Sequence, residues 1–163
     1  MARRRIWRGA PDLLAAKIEA IKRAVRADGG DIFVNARTDV YLKGLAEGDA
    51  ALRETISRGQ RYARAGADGF YPIGLTDRES IRAVARATTL PLNLLAGRDL
   101  PATSELFDLG VRRLSAGPYL TELAFGEARR AAAALVRRGD MTALFADHGI
   151  DFDEMNELLA AKL

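Results

Sequence analysis

Arg37 and Asp39 stand two residues apart at the end of an apolar run, in DIFVNARTDVYLKG (residues 31–44). Arg and Asp are seldom buried without a partner. A guanidinium can grip a carboxylate of a small ligand through two parallel N–H bonds, or it can close a structural ion pair with a neighbouring acid. The expected role of Arg37 is to hold a ligand, with Asp39 orienting it or capping the following turn. Asn93 sits inside LPLNLL, which is otherwise wholly apolar. Its amide needs hydrogen-bond partners there, on a ligand or on neighbouring backbone. Ser115 ends VRRLS, where a hydroxyl can bond a ligand or the adjacent turn. His148, between FAD and GIDF, is expected to be a surface or packing residue. No catalytic residue and no metal ligand is assigned from these positions.

Composition narrows the chemistry further. The 163 residues fit one domain with a sizeable core. The chain has no cysteine, which excludes a disulfide framework, a thiolate metal site and a cysteine nucleophile. One histidine cannot make a multi-histidine metal site within a chain. The formal charge of +3 is accounted for by Arg3, Arg4, Arg5 and Arg8. Trp7 among them could stack on a base, but no second basic patch follows. A solvated terminus is the expectation, and nucleic acid is not an expected partner. No apolar run approaches the roughly 20 residues of a membrane span, and the N-terminus lacks the apolar core of a signal peptide. The chain is therefore expected in the cytoplasm, away from membranes.

The elements that must position these residues follow from periodicity. In residues 11–27 Leu13, Leu14, Ile18, Ile21 and Val25 recur at helical spacing, with Lys and Arg in the last turns. DIFVNAR then reads as a strand covered on both faces. The cycle repeats: a helix over 49–65 and a strand in GADGFYPIG, then a helix over 77–88 with Asp77 as N-cap and a strand in LPLNLLAG. A short helix in TSELFDLG, capped by Thr103 or Ser104, leads to a strand in VRRLSAG. A helix over 119–138 and one or two short helices over 141–163 finish the chain. Residues 1–10 are read as a basic tail, and 11–163 as one domain.

Strands alternating with helices mean parallel (β/α) units. An open dinucleotide-binding sheet usually has a glycine-rich first turn, and neither GxGxxG nor GxxxxGK[ST] occurs. A TIM-type barrel instead gathers polar residues at the C-terminal ends of its strands. Arg37 and Asp39, Tyr71, Asn93 and Ser115 fit that pattern, on four strands where a barrel needs eight.

NARTDVYL, RYARAGADGFYPIGL, LPLNLLAG and LGVRRLSAG, in this order and spacing, resemble the isocitrate lyase/phosphoenolpyruvate mutase superfamily. The likeness is to its carboxyphosphonoenolpyruvate phosphonomutase-like or 2-methylisocitrate lyase-like group, and it runs from about Pro11 to the C-terminus. The resemblance implies the C-terminal half, strands five to eight, of a Mg²⁺-dependent (β/α)8 barrel. The other half normally carries the acidic Mg²⁺ ligands and a mobile loop with catalytic lysine and cysteine, and no segment here resembles it. Arg37 matches the arginine that binds a carboxylate or phosphonate oxygen, and Asn93 an asparagine near the substrate carboxylate. Ser115 falls where members often have serine. One departure stands out: where lyase members carry a glutamate on the sixth strand, this chain has Ile73. An isoleucine cannot transfer a proton, which favours a smaller 2-oxo acid over a tricarboxylate.

The family reaction breaks or forms a C–C or P–C bond next to a 2-oxo acid, through an enolate stabilised by Mg²⁺. The resemblance thus implies a small carboxylate ligand and an activity needing a complementary half, either another chain or a second copy. The alternative is a non-catalytic remnant or engineered half-barrel that self-associates through its open edges and binds small carboxylates at most weakly. In the family the final helix commonly crosses to a partner subunit. Phe152, Met155, Leu158 and Leu159 have the spacing to do so or to pack on their own domain.

Overall fold

Cap residues, prolines and glycines cut the chain into the elements that its apolar spacing asks for. The computed structural model describes residues 10–145 and 149–160. The basic segment 3–8 and His148 lie outside the described residues. Helix α1 (Pro11–Ala27) starts on a proline, whose missing N–H costs nothing in a first turn. Helices α2 (Gly48–Arg64) and α3 (Arg78–Ala87) follow. The Asp77 carboxylate accepts the Ser80 N–H at 2.8 Å, so the expected cap of α3 is formed. The expected cap of α4 (Thr103–Asp108) is not: its N-cap is Ala102, with no side chain bonded to the first turn.

The chain divides after Ala116 into two compact units. The first holds strands β1 (Asn35–Thr38), β2 (Gly69–Pro72), β3 (Leu92–Leu95) and β4 (Val111–Ser115) in one parallel sheet, ordered β1-β2-β3-β4. Each strand joins the next through a helix, the connection that parallel neighbours require. The parallel (β/α) arrangement expected from the sequence is the one observed. The second unit holds α5 (Tyr119–Arg138), a 3₁₀ turn (Thr142–Phe145) and α6 (Phe152–Ala160). Helix α5 closes on Gly139 in the left-handed region at φ 64°, a conformation that glycine adopts without steric cost.

Helices cover one face of the sheet. Ala36, Phe70, Leu92, Leu94 and Val111 from the strands pack with Ile18, Tyr62, Ile81, Val84 and Leu106 from the helices. The Tyr62 and Phe70 rings meet at 59° with centroids 6.3 Å apart, a tilted contact that aromatic quadrupoles favour. Burying each such large side chain contributes about 1.5–3 kcal/mol. Gly59 of α2 lets this helix sit close to the sheet: a Cβ there would stand 2.6 Å from Thr88 Cγ2 and 3.0 Å from the Phe70 ring.

One expectation is corrected here. The apolar run over 31–37 enters the sheet only at Asn35, and Ile32 and Phe33 are exposed. Lys22, among the basic residues that fill the later turns of α1, is buried. Its ammonium pairs with Asp31 at 3.1 Å and Asp68 at 2.7 Å and donates to the Ile32 carbonyl. Asp68 also accepts the Val34 N–H at 2.8 Å. These bonds pin α1 to the segments entering β1 and β2. Burial raises the Asp68 carboxyl pKa, but the Lys22 and Val34 hydrogen bonds outweigh it and the net direction is down.

Candidate functional site

Alternation along a strand sends every second side chain to the face opposite helices α1–α4. Ala36, Phe70 and Leu92 lie in the core, so Arg37, Tyr71 and Asn93 lie on the opposite face. The register pairs Arg37 with Tyr71, Phe70 with Leu92, and Asn93 with Arg113. Arg37, Tyr71, Asn93 and Arg113 therefore form one transverse row, one residue per strand. At about 4.8 Å per strand the row runs about 14 Å along the sheet.

Strand β4 reaches that row through an irregularity. Leu92 pairs with Val111, but Asn93 pairs with Arg113. Arg112 is the extra residue, a β-bulge that reverses the strand's alternation. Its guanidinium lies 4.6 Å from the Phe107 ring centroid and donates to the Phe107 and Val111 carbonyls at 3.1 and 3.0 Å. Val111 stays in the core, while Arg113 and Ser115 turn to the face of Asn93.

The polar groups on this face bond in two sets. Arg37 Nε donates to Asp39 Oδ1 at 2.6 Å, and Lys43 Nζ lies 3.5 Å from Asp39 Oδ2. This bond occupies one of the five guanidinium donors, and the Arg37 side chain is 48% exposed. Burial raises the Asp39 carboxyl pKa, and the opposing bonds and charges of Arg37 and Lys43 bring it down on balance. In the second set, Ser115 Oγ donates to Asn93 Oδ1 at 3.0 Å and accepts from Arg113 Nη1 at 2.8 Å. Asn93 is 1% exposed, and its Nδ2 has no hydrogen-bond partner among the described residues.

A cleft of about 310 Å³ opens beside the first set, lined by Arg37, Asp39 and Lys43 with Lys17 of α1 and Arg58 and Tyr62 of α2. Its cations outnumber Asp39, which suits a small anion. Asn93 and Ser115 do not line this cleft. The structure thus places Arg37 with Asp39, and Asn93 with Ser115, on one face with Tyr71 between them. Sequence reasoning missed Arg113. The signal was an arginine two residues before Ser115, but only the bulge puts both beside Asn93. Ile73 is buried, and its N–H bonds the Tyr71 carbonyl at 3.1 Å.

Among the described residues no three His, Asp or Glu side chains are grouped to hold a metal ion. Asp39, the carboxylate beside the site, is committed to Arg37 and Lys43. These residues do not fit the Mg²⁺ that the resemblance implies, and no step is assigned to it. No helix among the described residues is long and apolar enough to cross a membrane.

Parallel (β/α) units carrying polar groups on the sheet face opposite the core define this chain as an α/β protein of the TIM-barrel type. Residues 4–136 match the profile of the phosphoenolpyruvate phosphomutase family. A solved chain from Burkholderia cenocepacia J2315, provisionally described as a lyase/mutase, is 35% identical. It superposes with a TM-score of 0.79 over 94% of this chain and 54% of its own. A 2,3-dimethylmalate lyase of the PEP mutase/isocitrate lyase superfamily is 25% identical, with a TM-score of 0.75 over 93% of this chain and 52% of its own. Oxaloacetate decarboxylase of Pseudomonas savastanoi pv. phaseolicola is 33% identical over 84 residues, 48% of this chain and 29% of that protein. The chain belongs to the phosphoenolpyruvate phosphomutase family, within the PEP mutase/isocitrate lyase superfamily, and corresponds to the C-terminal half of such a barrel. It spans about half the length of the solved structures it matches.

Proposed function

We propose that this chain supplies the anion-binding half of a site that cleaves or forms a C–C or P–C bond next to a 2-oxo acid. The observation that carries this is the row Arg37, Tyr71, Asn93 and Arg113 on the sheet face opposite the core. Arg37 grips one carboxylate of a small 2-oxo acid, and Asp39 steadies the guanidinium. Asn93 contacts the ligand from β3, with Ser115 of β4 bonded to its amide oxygen at 3.0 Å. Buried Ile73 offers no proton, which suits a compact dianion better than a tricarboxylate. The electrophile and the acid–base groups come from a complementary half of the barrel, since the row itself contains no carboxylate and no histidine.

The test is calorimetric titration of the purified chain with oxalate, a planar dianion shaped like an enolpyruvate, with and without Mg²⁺. The expected result is saturable binding that weakens at least tenfold in Arg37→Ala, the loss of about one charge-assisted hydrogen bond. Absence of heat under both conditions would sink the proposal.

A second reading, a non-catalytic half-barrel that self-associates, draws on the exposure of Phe33 ahead of edge strand β1 and of Phe152, Leu158 and Leu159 on α6. Sedimentation velocity separates the two. A stable oligomer that ignores oxalate favours the second.

A further inference from the structure

The hydrogen bonds from Arg113 to Asn93 have a fixed direction. A guanidinium only donates, so Ser115 Oγ accepts from Arg113 Nη1 at 2.8 Å. The single hydroxyl proton is then free for Asn93 Oδ1, 3.0 Å away. With the amide reversed, the hydroxyl would meet two donors and its own proton would have no acceptor. The arrangement therefore settles which way the amide points, a choice that geometry at Asn93 alone leaves open.

The consequence lies on the far side of the amide. Nδ2 is directed away from Ser115, on a residue that is 1% exposed, and no described residue accepts its protons. Two buried donors without an acceptor cost free energy until an acceptor arrives. We propose that Arg113 is a positioning residue: acting through Ser115, it holds Asn93 with Nδ2 toward the ligand. The site then prefers a group that offers only acceptor oxygens, a carboxylate, over an isosteric amide. The bulge at Arg112, anchored on Phe107, brings Arg113 to the row. The identity of the ligand rests on the function proposed above; the chain of hydrogen bonds stands in the free protein.

Two measurements test this. In the free protein, the Asn93 side-chain amide signals are assigned in a ¹⁵N spectrum by their loss in Asn93→Asp. They should shift in both Arg113→Met and Ser115→Ala and keep their wild-type position in Arg113→Lys, which retains a donor and the charge. Unmoved signals in Arg113→Met would overturn the proposal whether or not oxalate binds, so its failure is distinct from failure of the function proposed above.

In titrations with oxalate and with oxamate, in which an amide replaces one carboxylate, the wild type should favour oxalate by at least tenfold. Arg113→Met and Ser115→Ala should each narrow that ratio by about the same factor, and the double variant should be no worse than either. Additive losses would mean that Arg113 acts on the ligand directly, and would refute the positioning role.

Discussion

Ser115 on β4 donates its hydroxyl proton to Asn93 Oδ1 on β3 at 3.0 Å. The bond ties two strands together on the sheet face opposite helices α1–α4, and among the described residues Asn93 Nδ2 is left buried without an acceptor. A side chain serving only stability would have both ends of its amide satisfied. Asn93→Leu should therefore change stability by less than about 1 kcal/mol, because it removes an unpaired donor together with a bond. The same variant should lose oxalate binding. Urea denaturation and calorimetry check the two halves, and a loss above about 2 kcal/mol would assign Asn93 to the core instead.

Arg37 and Asp39 form a partly exposed pair, at 48% and 25% side-chain exposure. Exposed ion pairs contribute about 0–1 kcal/mol. Arg37→Ala should accordingly unfold within about 1 kcal/mol of the wild type while binding oxalate at least tenfold more weakly. Arg37→Lys should recover only part of that affinity, since an ammonium lacks the planar fork. Equal affinity in wild type and Arg37→Ala would leave the guanidinium with a structural role.

Gly59 tests the packing beneath the site. Alanine normally gains about 1 kcal/mol over glycine in a helix. Here its Cβ would press on Thr88 Cγ2 at 2.6 Å and on the Phe70 ring at 3.0 Å. Both neighbours are buried, and overpacking costs about 1–3 kcal/mol. Gly59→Ala should be net destabilising, read as a lower urea midpoint with an unchanged slope.

Acid should weaken the fold through its bonded carboxylates. Asp68, Asp39 and Asp77 are each held below the ordinary value of 3.8. For Asp68 and Asp39 burial pushes the other way but is outweighed by Lys22 and Arg37 respectively, while for Asp77 the Ser80 N–H is the leading cause. Because the unfolded chain binds these protons first, the stabilisation is present above about pH 4 and lost as pH falls through the lower folded values. The urea midpoint should drop between about pH 5 and 3, and Asp68→Asn should make that drop shallower.

Much of the fold was legible in the sequence because its signals are local. Helical spacing marked α1 and α2, and Asp77 as an N-cap marked the start of α3. Arg37 and Asp39 were legible as neighbours because two residues of chain keep them together. Strand lengths were less legible. The apolar run over 31–37 looked like one buried strand, yet Ile32 and Phe33 stay exposed because pairing with β2 begins only at Asn35 opposite Gly69.

The sequence by itself determined the alternating helices and strands, the family motifs, and the placing of polar residues near strand ends. Those depend on periodicity and on contacts within a turn. The tertiary structure alone decided which of these residues share a face. Strict alternation along β4 would put Val111, Arg113 and Ser115 on the same side, facing the core. The bulge at Arg112 keeps Val111 in the core and turns Arg113 and Ser115 to Asn93. That reversal is set by pairing with a strand about twenty residues away along the chain, and period-two reading of a single strand carries no information about its partner's register.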